Sequence, residues 1–148
     1  MPESDSAQRL ARASADHMWV HDWASRKLGM CVENIAPGRA VLTMIVTEAM
    51  LGPGRVCRRG LVFTLADSAM AYASNSHGRL AVAQMADIIY DRDVVVGTRL
   101  TAIAEERHRT GRKALYDVRV TADDGTIVAE FRGQTISLGD LFATMAKT

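Results

Sequence analysis

Between Gly60 and Ser76 the chain reads Gly-Leu-Val-Phe-Thr-Leu-Ala-Asp-Ser-Ala-Met-Ala-Tyr-Ala-Ser-Asn-Ser, rich in alanine and apolar on nearly every face of a helical projection. So little solvent face predicts a helix wrapped by other structure. The pattern downstream reads as strands over Leu80 to Tyr90, Thr98 to Arg107, Ala114 to Thr121 and Ile127 to Leu138. Between them lie turn signals at His108-Arg109-Thr110-Gly111-Arg112 and Asp123-Asp124-Gly125, the latter ending in the Asp-Gly pair of tight hairpins. Alternation is clearest from Ala114 to Val120, with Leu115 and Asp117 on one face and Tyr116, Val118 and Val120 on the other.

Upstream, helix formers dominate from Ser6 to Ala24, which predicts a first helix. The runs from Gly29 to Ile35 and from Ala40 to Val46 flank Pro37-Gly38-Arg39 and predict a hairpin. Leu51-Gly52-Pro53-Gly54-Arg55 defeats both helix and strand and predicts a loop. One buried helix followed by long antiparallel strands, with a hairpin ahead of it, predicts an α+β chain with a curved antiparallel sheet around a central helix, the hot-dog arrangement. A generic antiparallel α+β sandwich is the alternative the pattern leaves open.

Composition narrows the function classes. At 148 residues, 48% of them apolar, the chain suits one domain with one core: residues 1–148, with a helical segment over 1–24 and a tail over 139–148. Eighteen Lys plus Arg against seventeen Asp plus Glu give no overall field to hold nucleic acid or an anionic membrane, so neither is an expected partner, and an anionic ligand must be gripped locally. Cys31 and Cys57 lack the close-spaced pairs of zinc or redox motifs. The start, Met1-Pro2-Glu3-Ser4-Asp5, is acidic where a secretory signal is basic, and no apolar run approaches the ~18 residues of a membrane span. A soluble cytoplasmic protein is expected.

His17 and His21 stand four apart, a spacing that can hold a metal, but no third ligand accompanies them, and packing or solvent contact accounts for them as well. Phosphate-binding, dinucleotide and serine-hydrolase glycine motifs are all missing from the sequence, so no metal and no cofactor are expected. Any hydrolysis would rest on a carboxylate. Asp67 is the only one between Met50 and Asp87; it sits mid-helix, with Thr64, Ser68 and Ala71 sharing its face. Burying such a group costs several kcal/mol unless something compensates. Either Asp67 reaches solvent or bonds to Ser68 or Thr64, or it is held in a cleft as a general base or nucleophile.

The segment Met50 to Ser76, with Leu51-Gly52-Pro53-Gly54-Arg55, Arg58-Arg59-Gly60 and Leu65-Ala66-Asp67-Ser68, resembles the central segment of the hot-dog acyl-CoA thioesterases of the phenylacetate-degradation branch. The likeness continues through Ala129-Glu130-Phe131-Arg132-Gly133-Gln134 and covers roughly residues 15 to 138. The resemblance implies hydrolysis of a small or aryl acyl-CoA, with Asp67 attacking the thioester or activating water. It also implies a homo-oligomer, a dimer or a tetramer of paired dimers, with each site shared between subunits. Arg59 and Gly60 fall on the family's catalytic positions ahead of the helix, where the motif is His-Gly-Gly and this chain has Arg58-Arg59-Gly60. A backbone N–H there polarises the thioester oxygen, and Arg59 still has one; its side chain stands where the family leaves space, and a positive φ would strain it. Relatives often carry asparagine where this chain has Gly52. Gly52, Arg58, Thr64 and Ser68 are therefore substrate-binding candidates, with Arg92, Arg109 and Arg112 suited to coenzyme A phosphates or to plain solvation. The alternative function is a catalytically weakened hot-dog protein that binds acyl-CoA. A hot-dog hydratase would need a helix histidine, and none lies between His21 and His77.

Overall fold

A computed structural model of the chain describes residues 2–145, and the side chains of 4–143. Helix α1 spans Pro2–His21 and α2 spans Trp23–Lys27. Strands β1 (Cys31–Ala36) and β2 (Arg39–Ile45) form the expected hairpin. Two short 3-10 turns, Glu48–Met50 and Pro53–Arg55, lead into α3 (Arg59–Asn75). Strands β3 (Arg79–Tyr90), β4 (Arg99–Thr110), β5 (Lys113–Thr121) and β6 (Ile127–Asp140) follow, then α4 (Leu141–Met145). All six strands join one antiparallel sheet in the order β1-β2-β4-β5-β6-β3, and α3 packs against it.

The expected first helix breaks at Asp22. There the carboxylate caps α2 by accepting from the Ser25 N–H at 3.1 Å, which ends one helix and starts the next. The turn expected over His108 to Arg112 is shorter than the sequence pattern implied: pairing runs to Thr110 and resumes at Lys113, so Gly111 and Arg112 alone close the β4–β5 hairpin, with Gly111 at φ 60°. Residues 139–140 finish β6, and the fully buried Leu141 begins α4, so the segment expected as a tail starts as packed structure; 146–148 lie outside the described residues.

The sheet face of α3 carries Val62, Leu65, Ala66, Ala69, Met70 and Ala73, all buried. Opposite them lie Leu42, Met44, Leu100, Val118, Val120 and Phe131, interspersed with Ala40, Ala102, Ala104 and Ala129. Small residues on both surfaces let the helix axis approach the sheet closely, and β6 goes furthest: a methyl group built on Gly133 would run into Sδ of Met70. Burial of α3 is not complete all round. Leu61, Thr64, Asp67, Ser68 and Ala71 form a partly open stripe on the far side, at the three- and four-residue spacing of one helix face.

The helix-to-sheet approach gives a stability test. Gly133→Ala is expected to cost about 1–3 kcal/mol through overpacking. In a Met70→Ala background that cost should shrink, because the colliding atom is gone. Urea unfolding of the four proteins of this cycle measures it, and simple additivity would refute the collision as its cause.

Candidate active site

The loop before α3 is pinned on two sides: the Arg58 N–H donates to Met50 O at 2.9 Å and the Cys57 N–H to Val94 O at 2.8 Å. Arg58 occupies the N-cap in an extended conformation, φ −61° and ψ 131°, with no side-chain cap, and the first turn holds no acidic residue. The opening N–H groups of a helix have no intrahelical partner, and here no capping side chain takes them, so the positive end of the helix dipole faces outward unspent. Gly60 borders open space.

Arg59 lies inside the helix, and Arg55 is the only non-glycine with positive φ among the described residues. The feared strain is therefore absent. Its guanidinium turns aside, 3.4 Å from Asp93 Oδ1 and 5.5 Å from the Tyr90 ring centroid, so it does not lie across the helix end. Arg58 behaves differently: a Cβ built on Gly52 would lie 3.0 Å from Arg58 Cγ, so the arginine stem covers Gly52.

Asp67 sits on the open stripe, two turns further along. Among the described residues it has no hydrogen bond or ion pair: Thr64 donates its hydroxyl back to Gly60 O at 2.8 Å, and Ser68 Oγ accepts from Ser25 Oγ at 3.4 Å. Local bonding to Thr64 or Ser68 is excluded. Burial raises the carboxyl above the usual aspartate range. One turn beyond Ser68, Tyr72 donates to Asp22 Oδ2 at 2.9 Å, so Asp22 and Ser25 brace one flank of α3.

Gly52, Arg58, Arg59 and Gly60 thus gather at the start of α3. Arg92 lies nearby, one residue from Asp93, with its guanidinium donating to Thr126 Oγ1 at 2.9 Å. Arg109 and Arg112 do not join them within one chain; they line a cavity with Ser74 and His77 at the other end of α3. His77 has an acidic partner, Glu106 at 3.0 Å, but it lies beyond the end of the helix. Sequence reasoning missed Tyr90 and Asp93, which hold Arg59, and the Asp22–Tyr72 bond; partners so distant along the chain leave no spacing signal.

The larger of the two principal cavities, about 530 Å³, lies on the outer sheet face, and Asp67 lines neither. No group of three histidine, cysteine, aspartate or glutamate side chains among the described residues could hold a metal ion. His17 packs on Phe142 with ring centroids 5.1 Å apart. No helix among the described residues is long and apolar enough to cross a membrane.

The thioesterase superfamily model matches residues 57–129. The chain is 37% identical over 126 residues to the acyl-coenzyme A thioesterase PaaI of Escherichia coli (strain K12), covering 85% of this chain and 90% of that protein. The structure of the E. coli PaaI protein from the phenylacetic acid degradation operon superposes with a TM-score of 0.88 at 36% identity, covering 90% of this chain and 96% of that one. A mutant form of the phenylacetic acid degradation protein PaaI from Thermus thermophilus gives a TM-score of 0.74 at 37% identity, over 77% and 97% of the two chains.

The raised Asp67 carboxyl has a measurable sign. Burial penalises its charge only in the folded chain, so folding favours the protonated form; that contribution is present at low pH and lost as pH rises through the carboxyl's range. At neutral pH the buried charge is a net cost, which asparagine does not carry. Asp67→Asn is expected to unfold at higher urea than wild type at pH 7, with the gap closing as pH falls into the acid range. Equal or lower stability at pH 7 would mean that the carboxylate has a stabilising partner.

Proposed function

The chain belongs to the thioesterase superfamily, in its phenylacetate-degradation branch, and it is a thioester hydrolase; on that premise we propose that it hydrolyses a small or aryl acyl-CoA to the free acid and coenzyme A. Asp67 acts as general base or nucleophile and the Arg59 backbone N–H as oxyanion donor. The observation that carries this reading is a half-buried carboxylate, raised in pKa by burial and without a hydrogen bond or ion pair among the described residues, on the open stripe of α3. A structural aspartate would have a donor. One without a donor is basic enough to take a proton from water, or free to attack a carbonyl itself.

Acting as base, Asp67 takes a proton from the water whose oxygen adds to the thioester carbon, an N–H at the unspent helix start stabilises the oxyanion, and collapse breaks the C–S bond and expels the coenzyme A thiolate, which receives that proton from the Asp67 carboxyl. Acting as nucleophile, Asp67 adds to the same carbon, the C–S bond breaks to release the thiolate and leave an acyl-aspartyl anhydride, and water then hydrolyses the anhydride to the free acid, restoring the carboxylate and supplying the proton for the thiolate. The Gly60 N–H stands one residue further in, and Gly52 with the Arg58 stem shapes the approach. Thr64 and Ser68 flank Asp67 on its stripe and border the acyl group. Arg92, near the start of α3, suits a phosphate of the coenzyme.

Geometry argues that two chains share each site. Asp67 and Arg59 are eight residues apart on one helix, about 12 Å along its axis, so one chain cannot place both on a single carbonyl. Strand β3 supplies the means of pairing: it is a long edge strand with Val82, Met85 and Ile89 exposed, as an edge that meets another copy would be. We therefore read the functional unit as a homo-oligomer in which the Asp67 stripe of one protomer faces the α3 start of its partner. Two free cysteines, Cys31 and Cys57, suit a cytoplasmic setting. The weakened-binder alternative loses force because the departures at 58 and 59 leave the backbone donor unstrained and uncovered.

Three experiments test this. Asp67→Asn should lower kcat on an acyl-CoA panel by a factor of about 10² or more with a far smaller change in KM; wild-type turnover would move the catalytic group elsewhere. Arg59→Pro removes the proposed donor at a helix position that tolerates proline, after a residue already extended, and Arg59→Gly keeps the N–H while removing the side chain. The proline variant should turn over about 10²-fold more slowly than the glycine variant; equal rates would exclude the Arg59 N–H. Mixing Asp67→Asn with Arg59→Pro should restore up to about a quarter of wild-type activity if each site joins two chains, since mixed dimers then hold one intact site. No recovery on mixing, with exchange of subunits demonstrated, would sink the shared site.

A further inference from the structure

Three arginines, Arg55, Arg58 and Arg59, stand around the start of α3, and two of them are answered by carboxylates. Arg55 Nη2 lies 3.9 Å from Glu48 Oε1, and Arg59 Nη2 lies 3.4 Å from Asp93 Oδ1 with its guanidinium over the Tyr90 ring. From Thr47 to Ala66 the sequence holds one carboxylate, Glu48, and Arg55 faces it. The guanidinium of Arg58 has no hydrogen bond or ion pair among the described residues. The surplus positive charge at this end of the helix therefore belongs to Arg58.

That charge is held in one place. A Cβ built on Gly52 would lie 3.0 Å from Arg58 Cγ, 3.7 Å from Cδ and 3.7 Å from Nη1, so the side chain folds back over Gly52, guanidinium included. The backbone beneath it is fixed: the Arg58 N–H donates to Met50 O at 2.9 Å, the Gly52 N–H to Val56 O at 2.9 Å and the Arg55 N–H to Gly52 O at 3.1 Å. Together Gly52 and Arg58 put a cation where a side chain at 52 would project. Because the loop sets the position of the guanidinium beforehand, little order has to be gained when an anion meets it.

We propose that Arg58 binds a carboxylate carried by the acyl group, so that the substrate class is a small acyl-CoA whose acyl chain ends in a second carboxyl group. The inference rests on the hydrolytic reading for the position of the thioester. Arg58 directly precedes Arg59, so with the thioester oxygen on the Arg59 N–H, a group held by the Arg58 guanidinium lies a few bonds from the reacting carbonyl. The phosphates of coenzyme A are at the other end of the pantetheine arm, beyond the reach of a side chain folded back on its own loop. A guanidinium offers a planar fork that a carboxylate matches at two points. A neutral alkyl chain laid against it strips away water and gives no hydrogen bond in return, whereas a carboxylate replaces that water with charged acceptors.

Two coenzyme A thioethers that resist hydrolysis, S-(3-carboxypropyl)-coenzyme A and S-butyl-coenzyme A, provide the test by calorimetric titration into the full chain. Wild type should bind the carboxylated thioether at least about tenfold more tightly than the butyl one. Arg58→Gln, which removes the charge, should abolish that preference, and Arg58→Lys, which keeps the charge without the fork, should retain a smaller one. Equal or tighter binding of the butyl thioether by wild type, or an undiminished preference in Arg58→Gln, overturns the proposal. In turnover, kcat/KM for succinyl-CoA over butyryl-CoA, with the uncatalysed loss of each subtracted, should show the same preference and lose it in Arg58→Gln. If the thioether preference holds but neither thioester is turned over, the hydrolytic reading fails and the Arg58 contact stands. Turnover of both thioesters with no preference for succinyl-CoA sinks the contact and leaves the hydrolytic reading in place.

Discussion

The close approach of α3 to the sheet governs the rest of this structure. Ala66, Ala69 and Ala73 on the helix meet Ala102, Ala104, Ala129 and Gly133 among the strands, and that small-residue interface brings the two backbones together. A helix so close to a sheet must be followed by it, so the strands are long and wrap. Two consequences follow. The helix face turned away from the sheet is braced by Trp19, Asp22 and Ser25 and stays partly open along its stripe, and one edge of the sheet is the long strand β3. The proposed site and the proposed pairing edge come from the same packing.

That arrangement explains how Asp67 can be half-buried without a partner among the described residues. The helix is held by its opposite face, so a polar group on the open stripe is tolerated at a modest electrostatic cost instead of a core defect. Bracing from the other flank helps: the Tyr72–Asp22 and Ser68–Ser25 contacts fix the helix rotation and hence the direction of Asp67. Functional sites often carry such a local cost within a chain whose other elements agree with one another.

Strand positions were legible because alternation and turn glycines act locally: β3, β5 and β6 begin within a residue of where the pattern put them. The helix at Arg59–Asn75 was legible because its apolar residues leave no solvent face to expect. The rest depended on contacts between distant residues. The break at Asp22 needs Ser25 close by but also Tyr72, fifty positions away, and the direction of Arg59 depends on Asp93, thirty-four positions away. The five-residue turn expected at His108 mistook charged residues for loop; His108 and Arg109 instead pair with Leu115 and Ala114 at the exposed end of a hairpin. Polar character alone does not separate an exposed strand end from a turn.

The departures at 52, 58 and 59 look in the sequence like three separate losses at a catalytic end. In the structure two of them are one packing solution. A side chain at 52 would press on the Arg58 stem, with Cβ 3.0 Å from Cγ, so glycine at 52 leaves room for the stem of arginine at 58. The third is neutralised differently, because Asp93 and the Tyr90 face draw the Arg59 guanidinium toward the end of β3. The helix therefore keeps its uncapped, unstrained start, and the chemistry assigned to that start uses backbone rather than side chain. A backbone donor survives any substitution that leaves φ and ψ intact, proline excepted. On the proposed reading, side chains at this start can change while the backbone donor does not, and the added positive charge at 58 strengthens the field at that point.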